Sequence, residues 1–262
     1  MSNYPLISII TVVYNGVSTL ERTILSVINQ TYKNIEYIII DGGSTDGTVD
    51  IIKKYEKHLT YWISETDGGV YDAMNKGIIK ATGEWTNFMN SGDWFFDNNV
   101  IESLFSLFPK EDLVYGSAVM RFERGNCLQK PKNKLHPWNI KINHQSLFCK
   151  SYILNTMRFN TKYKIASDYE FLHKCFNNNY TMKYYDIIVS SCETPGISNS
   201  LYLLSIKERL QILFCNKWYR VFNMLLIIKT LFYGLKSLLS IWVSYFFPSI
   251  MQKYRSWKYQ NI

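Results

Sequence analysis

The chain has 262 residues, 47% hydrophobic and 19% charged, which excludes global disorder and suffices for one α/β domain with a smaller appendage. Its net charge of +8 is uneven: residues 203–262 hold nine Lys/Arg against one acid, Glu208, while residues 1–202 hold twenty of each sign. The five cysteines, at 127, 149, 175, 192 and 215, form no CxxC pair and no ligand-like spacing with histidine, which suits reduced thiols in the cytoplasm.

The first apolar run, "LISIITVV" over residues 6–13, is continuous and β-branched, as in a strand buried on both faces. No basic stretch precedes it, so it reads as a strand rather than a signal peptide. "STLE" then predicts a helix start, with Ser18 as N-cap and Glu21 closing a capping box. "NIEYIIID" (34–41) predicts a second buried strand ending on Asp41. The loop "GGSTDGT" follows, in which Ser44 and Asp46 suit the cap of a helix from Thr48. "TYWISE" (60–65) reads as a third strand, "VYDAMNKGIIKA" (70–81) as a helix and "WTNFM" (85–89) as a fourth strand. "DLVYGSAVMRF" and "YYDIIVSS" read as later strands, and "DYEFLHKCFNNN" (168–179) as a helix.

Alternating strands and helices with short connections predict an α/β fold with a parallel sheet and right-handed crossovers. Ligands bind such sheets beyond the C-terminal strand ends. The polar clusters Tyr14–Asn15, Asp41–Ser44, Glu65–Asp67 and Asn90–Asp93 all fall there. GxGxxG, GxxxxGK[ST] and GxSxG are absent, which argues against a dinucleotide-binding dehydrogenase, a P-loop NTPase and an elbow hydrolase.

Four segments in order, "IIIDGGSTDGT", "ETDGGVYDAMNKGI", "NFMNSGDW" and "KIASDYEFLHKC", give the chain its character. Over about residues 5–200 this set resembles the inverting family 2 glycosyltransferases of the GT-A fold, of the bacterial polysaccharide-assembly type. The resemblance implies transfer of a sugar from a nucleotide-sugar, foremost a UDP-sugar, to a glycan or lipid-linked saccharide. It implies donor contacts at Thr11, Tyr14, Asn15, Asp41, Asp67, Asp72, Asn75 and Lys76. Asp41 would meet a base edge, and Lys76 would neutralise phosphate.

Asp93 matches the metal position, for Mg²⁺ or Mn²⁺, with Ser91 where the first acid of an Asp-x-Asp pair would stand. A hard cation on a diphosphate needs few protein ligands. An inverting displacement needs one carboxylate to take the acceptor proton. Asp168 matches that base, with Glu170 as the neighbouring rival, and His144–Gln145 match an acceptor-side element. Each acid also has a plain reading as a loop or helix cap.

The tail "VFNMLLIIKTLFYGLKSLLSIWVSYFF" (221–247) is aromatic and aliphatic, with Lys229 and Lys236 on one helical face. It predicts a basic amphipathic region, residues 203–262, lying on a membrane surface from the cytoplasmic side. A core helix pair or a dimer interface would share this pattern. No nucleic-acid module is recognisable. Two other classes remain: a nucleotidyltransferase, which would need a basic Gly-rich loop after the first strand, and an inactive nucleotide-sugar-binding or scaffold subunit.

Overall fold

The alternation of side chains along a strand sets the layers of this protein. In β1 (Ile7–Val13), Ile10 and Val12 point to one face of the sheet while Ile7, Ile9 and Val13 point to the other, and all are buried. β2 (Ile35–Asp41) repeats the arrangement, with Ile38 and Ile40 on the first face and Tyr37 and Ile39 on the second. Strands buried on both faces need helices above and below.

The computed structural model describes residues 4–123, 125–131, 140, 142–194 and 201–215. Two compact units divide the chain, Met1–Arg121 with Leu128–Glu193, and Phe122–Cys127 with Thr194–Ile262. In chain order the first elements are α1 (Leu20–Ile28), α2 (Thr48–Lys54), β3 (Tyr61–Ser64), α3 (Val70–Lys80), β4 (Trp85–Phe88), β5 (Asp93–Phe95) and α4 (Val100–Phe105). They continue with β6 (Leu113–Phe122), β7 (Gly125–Gln129), β8 (Leu147–Lys150), α5 (Ser151–Thr156), α6 (Ser167–Asn177), β9 (Met182–Glu193) and α7 (Tyr202–Cys215). The sheet runs β3-β2-β1-β4-β8-β6-β9-β5. β3, β2, β1 and β4 are mutually parallel, whereas β8 is antiparallel to both β4 and β6, and β5 is antiparallel to β9.

On one face α3, α5 and α6 supply Met74, Ile78, Ile153, Leu154, Phe171 and Leu172 to the core. On the other, α1, α2 and α4 supply Leu20, Ile24, Ile52, Ile101 and Leu104. The fold is α/β with a mostly parallel sheet flanked by helices, as the alternation of elements predicts.

One local expectation changes. Helix α1 begins at Leu20 after Thr19, with no side-chain cap, so the Ser18–Glu21 capping box does not form. Glu21 instead accepts the hydroxyl of Tyr55 at 2.7 Å and pairs with Lys54 at 2.6 Å, because α2 packs beside it. In the second unit, α7 buries Ser205, Glu208, Ile212 and Leu213, the first three spaced for a single helical face. The tail segment 221–247 lies outside the described residues. Among the described residues no helix is long and apolar enough to cross a membrane.

Candidate functional site

The parallel strands deliver their loops to one end of the sheet, and hydrogen bonds tie those loops together. Asn15 sits in the left-handed region (φ 48°), which asparagine tolerates better than most residues. Its N–H donates to Ser44 Oγ at 2.7 Å, and its Oδ1 accepts from the Thr45 N–H at 3.0 Å. Asp46 accepts from Val17 and Thr48, so it holds the loop, although the N-cap of α2 is Gly47. Tyr14 leaves its ring 68% exposed above this loop.

A Cβ on Gly42 would stand 2.8 Å from Asp67 Oδ2 and 3.4 Å from the Tyr14 ring. Tyr14, Gly42 and Asp67 therefore meet, and the missing side chain is what makes room. Asp67 Oδ1 accepts from the Gly69 N–H at 2.7 Å, and Asp72 Oδ2 accepts from the Gly68 N–H at 2.9 Å. Lys76 pairs with Glu65 at 2.7 Å and stands 3.9 Å from Asp72.

Three residues expected at the donor are held by partners within the fold. Thr11 is wholly buried, with its hydroxyl 3.0 Å from Tyr37 Oη and donating to the Met89 carbonyl at 2.7 Å. It underlies the site rather than lining it. Asp41 is also wholly buried: Oδ2 accepts from Gly43 N, Ser44 N and Ser64 Oγ, and Oδ1 accepts from Ser44 Oγ. Its carboxylate shapes the 43–44 loop. Asn75 turns away, because its amide donates to the Phe159 carbonyl at 2.8 Å and accepts from the Phe159 N–H at 3.0 Å.

The turn Asn90–Asp93 is anchored on α1. Thr19 Oγ1 lies 3.0 Å from Ser91 Oγ, and Thr23 Oγ1 donates to the Asp93 carbonyl at 2.7 Å. Burial pushes the Asp93 carboxyl up to about 6, against the Gln145 amide, the neighbouring His144, the Cys192 thiol and the Glu193 backbone, which favour its ionised form. Asn90 Oδ1 is buried and has no hydrogen-bond partner. A buried carboxylate and an orphaned amide oxygen in one turn fit a hard divalent cation. Among the described residues no group of three or more His, Cys, Asp or Glu gathers to hold a metal. The donor set is therefore small, as for a cation that shares its shell with phosphate and water.

Asp168 lies in the first turn of α6, two residues after the cap position Ala166. Its Oδ1 accepts from the Tyr71 hydroxyl at 3.0 Å and from the Tyr169 N–H at 2.8 Å, and its Oδ2 lies 3.4 Å from His144 Nδ1. The other imidazole nitrogen is 3.1 Å from Asn90 Nδ2. With that amide donating, the ring hydrogen sits on Nδ1, toward Asp168. Gln145 Nε2 donates to Asp93 Oδ2 at 2.5 Å. Adjacent residues thus each hold one of two carboxylates that are far apart in sequence. Glu170 is occupied elsewhere, with Lys174 at 3.0 Å and Asn160 at 3.3 Å. Asp168 and His144 also line a small apolar cavity with Phe88, Leu154, Phe159 and Phe171.

Sequence reasoning missed Tyr71 and Thr19, and gave Asn90 only as one end of a polar cluster. Tyr71 and Asn75 stand four residues apart on α3, so the helical period alone places them on one face. Their partners, in residues 159–168, belong to a distant segment that no local pattern reveals.

This sheet, with its acidic loops at one end, has the fold of GT-A glycosyltransferases. Residues 8–188 match Glycosyl transferase family 2, and the chain belongs to that family of glycosyltransferases. It is 28% identical to a PGL/p-HBAD biosynthesis glycosyltransferase of Mycobacterium bovis, over 86% of this chain and 96% of the relative. It is 35% identical to an uncharacterized glycosyltransferase of Mycobacterium tuberculosis, over 66% of this chain and 69% of that protein. Among solved structures, S. aureus TarS 1-349 in complex with UDP-GlcNAc superimposes with TM-score 0.65 at 19% identity, over 79% of this chain. The mannosyltransferase PcManGT from Pyrobaculum calidifontis, in complex with GDP-Man and Mn²⁺, gives 0.64 at 16% identity over 81% of this chain. The chain spans 64% of the length of each of those two structures.

Proposed function

We propose that the chain transfers a hexose from a nucleotide-sugar, foremost a UDP-sugar, to a hydroxyl of a glycan or lipid-linked saccharide, with inversion, in cell-surface polysaccharide synthesis. One observation carries this reading: consecutive residues His144 and Gln145 contact Asp168 and Asp93 respectively. One carboxylate on the acceptor side and one on the diphosphate side is what a single in-line displacement requires.

In this reading Asp168 Oδ2 takes the acceptor proton, since Oδ1 already accepts two hydrogen bonds. Asp93, with Asn90 Oδ1 in the same turn, would hold Mg²⁺ or Mn²⁺, which would supply positive charge against the leaving diphosphate. Tyr14, Asn15, Asp67, Asp72 and Lys76 line the donor side, while Thr11, Asp41 and Asn75 support it from beneath or behind. His144 and Gln145 stand between donor and acceptor. Residues 1–202 form the catalytic domain, and the basic region 203–262 meets the membrane surface from the cytoplasmic side.

The experiment is Asp168→Asn in the full chain, assayed for nucleoside diphosphate release from UDP-sugars and GDP-mannose with Mn²⁺. Turnover should fall by about a hundredfold or more while calorimetric affinity for UDP with Mn²⁺ is retained. Turnover within a few-fold of the parent would make the base assignment wrong. Nucleotide binding without any turnover by the parent chain would favour a binding or scaffold subunit.

A further inference from the structure

Helix α3 presents two differently employed faces. Asp72 and Lys76 face the loop after β3, where they meet Gly68 and Glu65. Tyr71 and Asn75 face the segment leading into α6. Asn75 grips both backbone groups of Phe159, and the Tyr71 ring packs on the Phe159 ring at 5.5 Å. The Tyr71 hydroxyl, in a buried residue, has one hydrogen and two acceptors, the Ile165 carbonyl at 2.8 Å and Asp168 Oδ1 at 3.0 Å.

A carboxylate on the first turn of a helix turns freely about its side-chain bonds unless neighbours restrain it. Here Oδ1 is restrained by Tyr71 and by the Tyr169 N–H, and Oδ2 lies 3.4 Å from His144 Nδ1. We infer that Tyr71 is a positioning residue for sugar transfer: its hydroxyl fixes the Asp168 carboxylate so that Oδ2 faces the acceptor hydroxyl. This rests on the reading of Asp168 as the base.

Burial and the nearby Asp168 charge hold the phenol well above the ordinary tyrosine range, so it remains a donor at every working pH. Among the described residues, His144, from the turn before β8, is a titratable group facing Asp168, and its neighbour Gln145 holds Asp93. On its own helix, Glu170 is paired with Lys174, and His173 packs on the Tyr169 ring. None of these groups donates to Oδ1 in place of the phenol.

Tyr71→Phe in the full chain tests the role. Losing a donor to the carboxylate raises its pKa, so the acid limb of kcat/KM should move to higher pH by about half a unit or more. Expected alongside are a drop in kcat of roughly tenfold and a donor KM within about twofold, since the donor face of α3 is untouched. The rates come from nucleotide release with UDP-N-acetylglucosamine or GDP-mannose. An activity-free readout is the titration of the Asp168 carboxyl carbon by NMR in ¹³C-aspartate-labelled protein, which should shift upward in the variant.

Site-specific 3-fluorotyrosine at 71, a stronger donor that preserves the shape of the core, should move both readouts the opposite way. A lowered melting temperature with an unmoved acid limb and an unmoved carboxyl titration would reduce Tyr71 to a packing residue and overturn the inference. Full turnover in Asp168→Asn would instead remove the base reading itself, so the two failures are told apart.

Discussion

Glu36, near the start of β2 and only 4% exposed, tests whether the framework can be weakened without touching the site. Its Oε1 accepts from Ser8 Oγ and from the N–H groups of Thr82 and Gly83, and its Oε2 accepts from Thr82 Oγ1 at 2.9 Å. It thereby stitches β1, β2 and the loop between α3 and β4. Glu36→Ala removes the acceptor of all four donors. The Gly83 N–H keeps Ser8 Oγ at 2.9 Å, but the Thr82 N–H loses the acceptor it has here.

A buried donor stripped of its partner costs about 1–3 kcal/mol, and the vacated volume adds more. The sum is about 3–5 kcal/mol, a melting temperature lower by roughly 10 °C in a domain of this size. Glu36→Gln keeps Oε1 and the shape, and its amide can donate to a rotated Thr82 hydroxyl, so it should cost only about 1 kcal/mol. Five residues of strand, roughly 16 Å, separate Glu36 from Asp41 at the site end. Activity per folded molecule should therefore match the parent well below the transition. Calorimetric melts of both variants, with nucleotide release at a permissive temperature, check this. Equal melting of the Ala and Gln variants, or an Ala variant within about 2 °C of the parent, would refute the account.

Gly42→Ala puts a methyl 2.8 Å from Asp67 Oδ2 and 3.4 Å from the Tyr14 ring. A tenfold rise in donor KM, about 1.4 kcal/mol, is expected with little change in melting temperature. An unchanged KM would mean that Tyr14 and Asp67 do not bind the donor. Asp93→Ala should lower turnover on the order of a hundredfold, and a chelator should do the same to the parent until Mn²⁺ is returned. Full activity of the parent in excess chelator would rule out the cation.

The strands of the first half and their parallel sense follow from patterns visible along the chain. Runs such as "LISIITVV" and "NIEYIIID" have no polar face to offer water, so they had to become central strands with helices on either side. For the same reason the polar residues that end them had to gather at one edge, and Tyr14, Asn15, Asp67 and Asp93 do. The antiparallel insertion of β8 between β4 and β6 was not legible, because strand pairing across long loops depends on contacts that no local period encodes.

Side-chain assignments followed the same division. A carboxylate at a strand end is readable, but whether it faces ligand or loop is decided by donors from elsewhere. Asp41 is enclosed by Ser44 and Ser64, and Thr11 is capped by Tyr37 and Met89. Residue spacing alone put Asp168 and Glu170 on different sides of a helix. Only the folded chain brought Tyr71, His144 and Asn90 to that helix, across separations in sequence too long for any motif to span. The amino-acid order determined which elements form and which end of the sheet is polar, because burial acts on every residue locally. Tertiary packing decided which partners each acid meets, because hydrogen-bond partners are supplied by whichever distant segment folds against them.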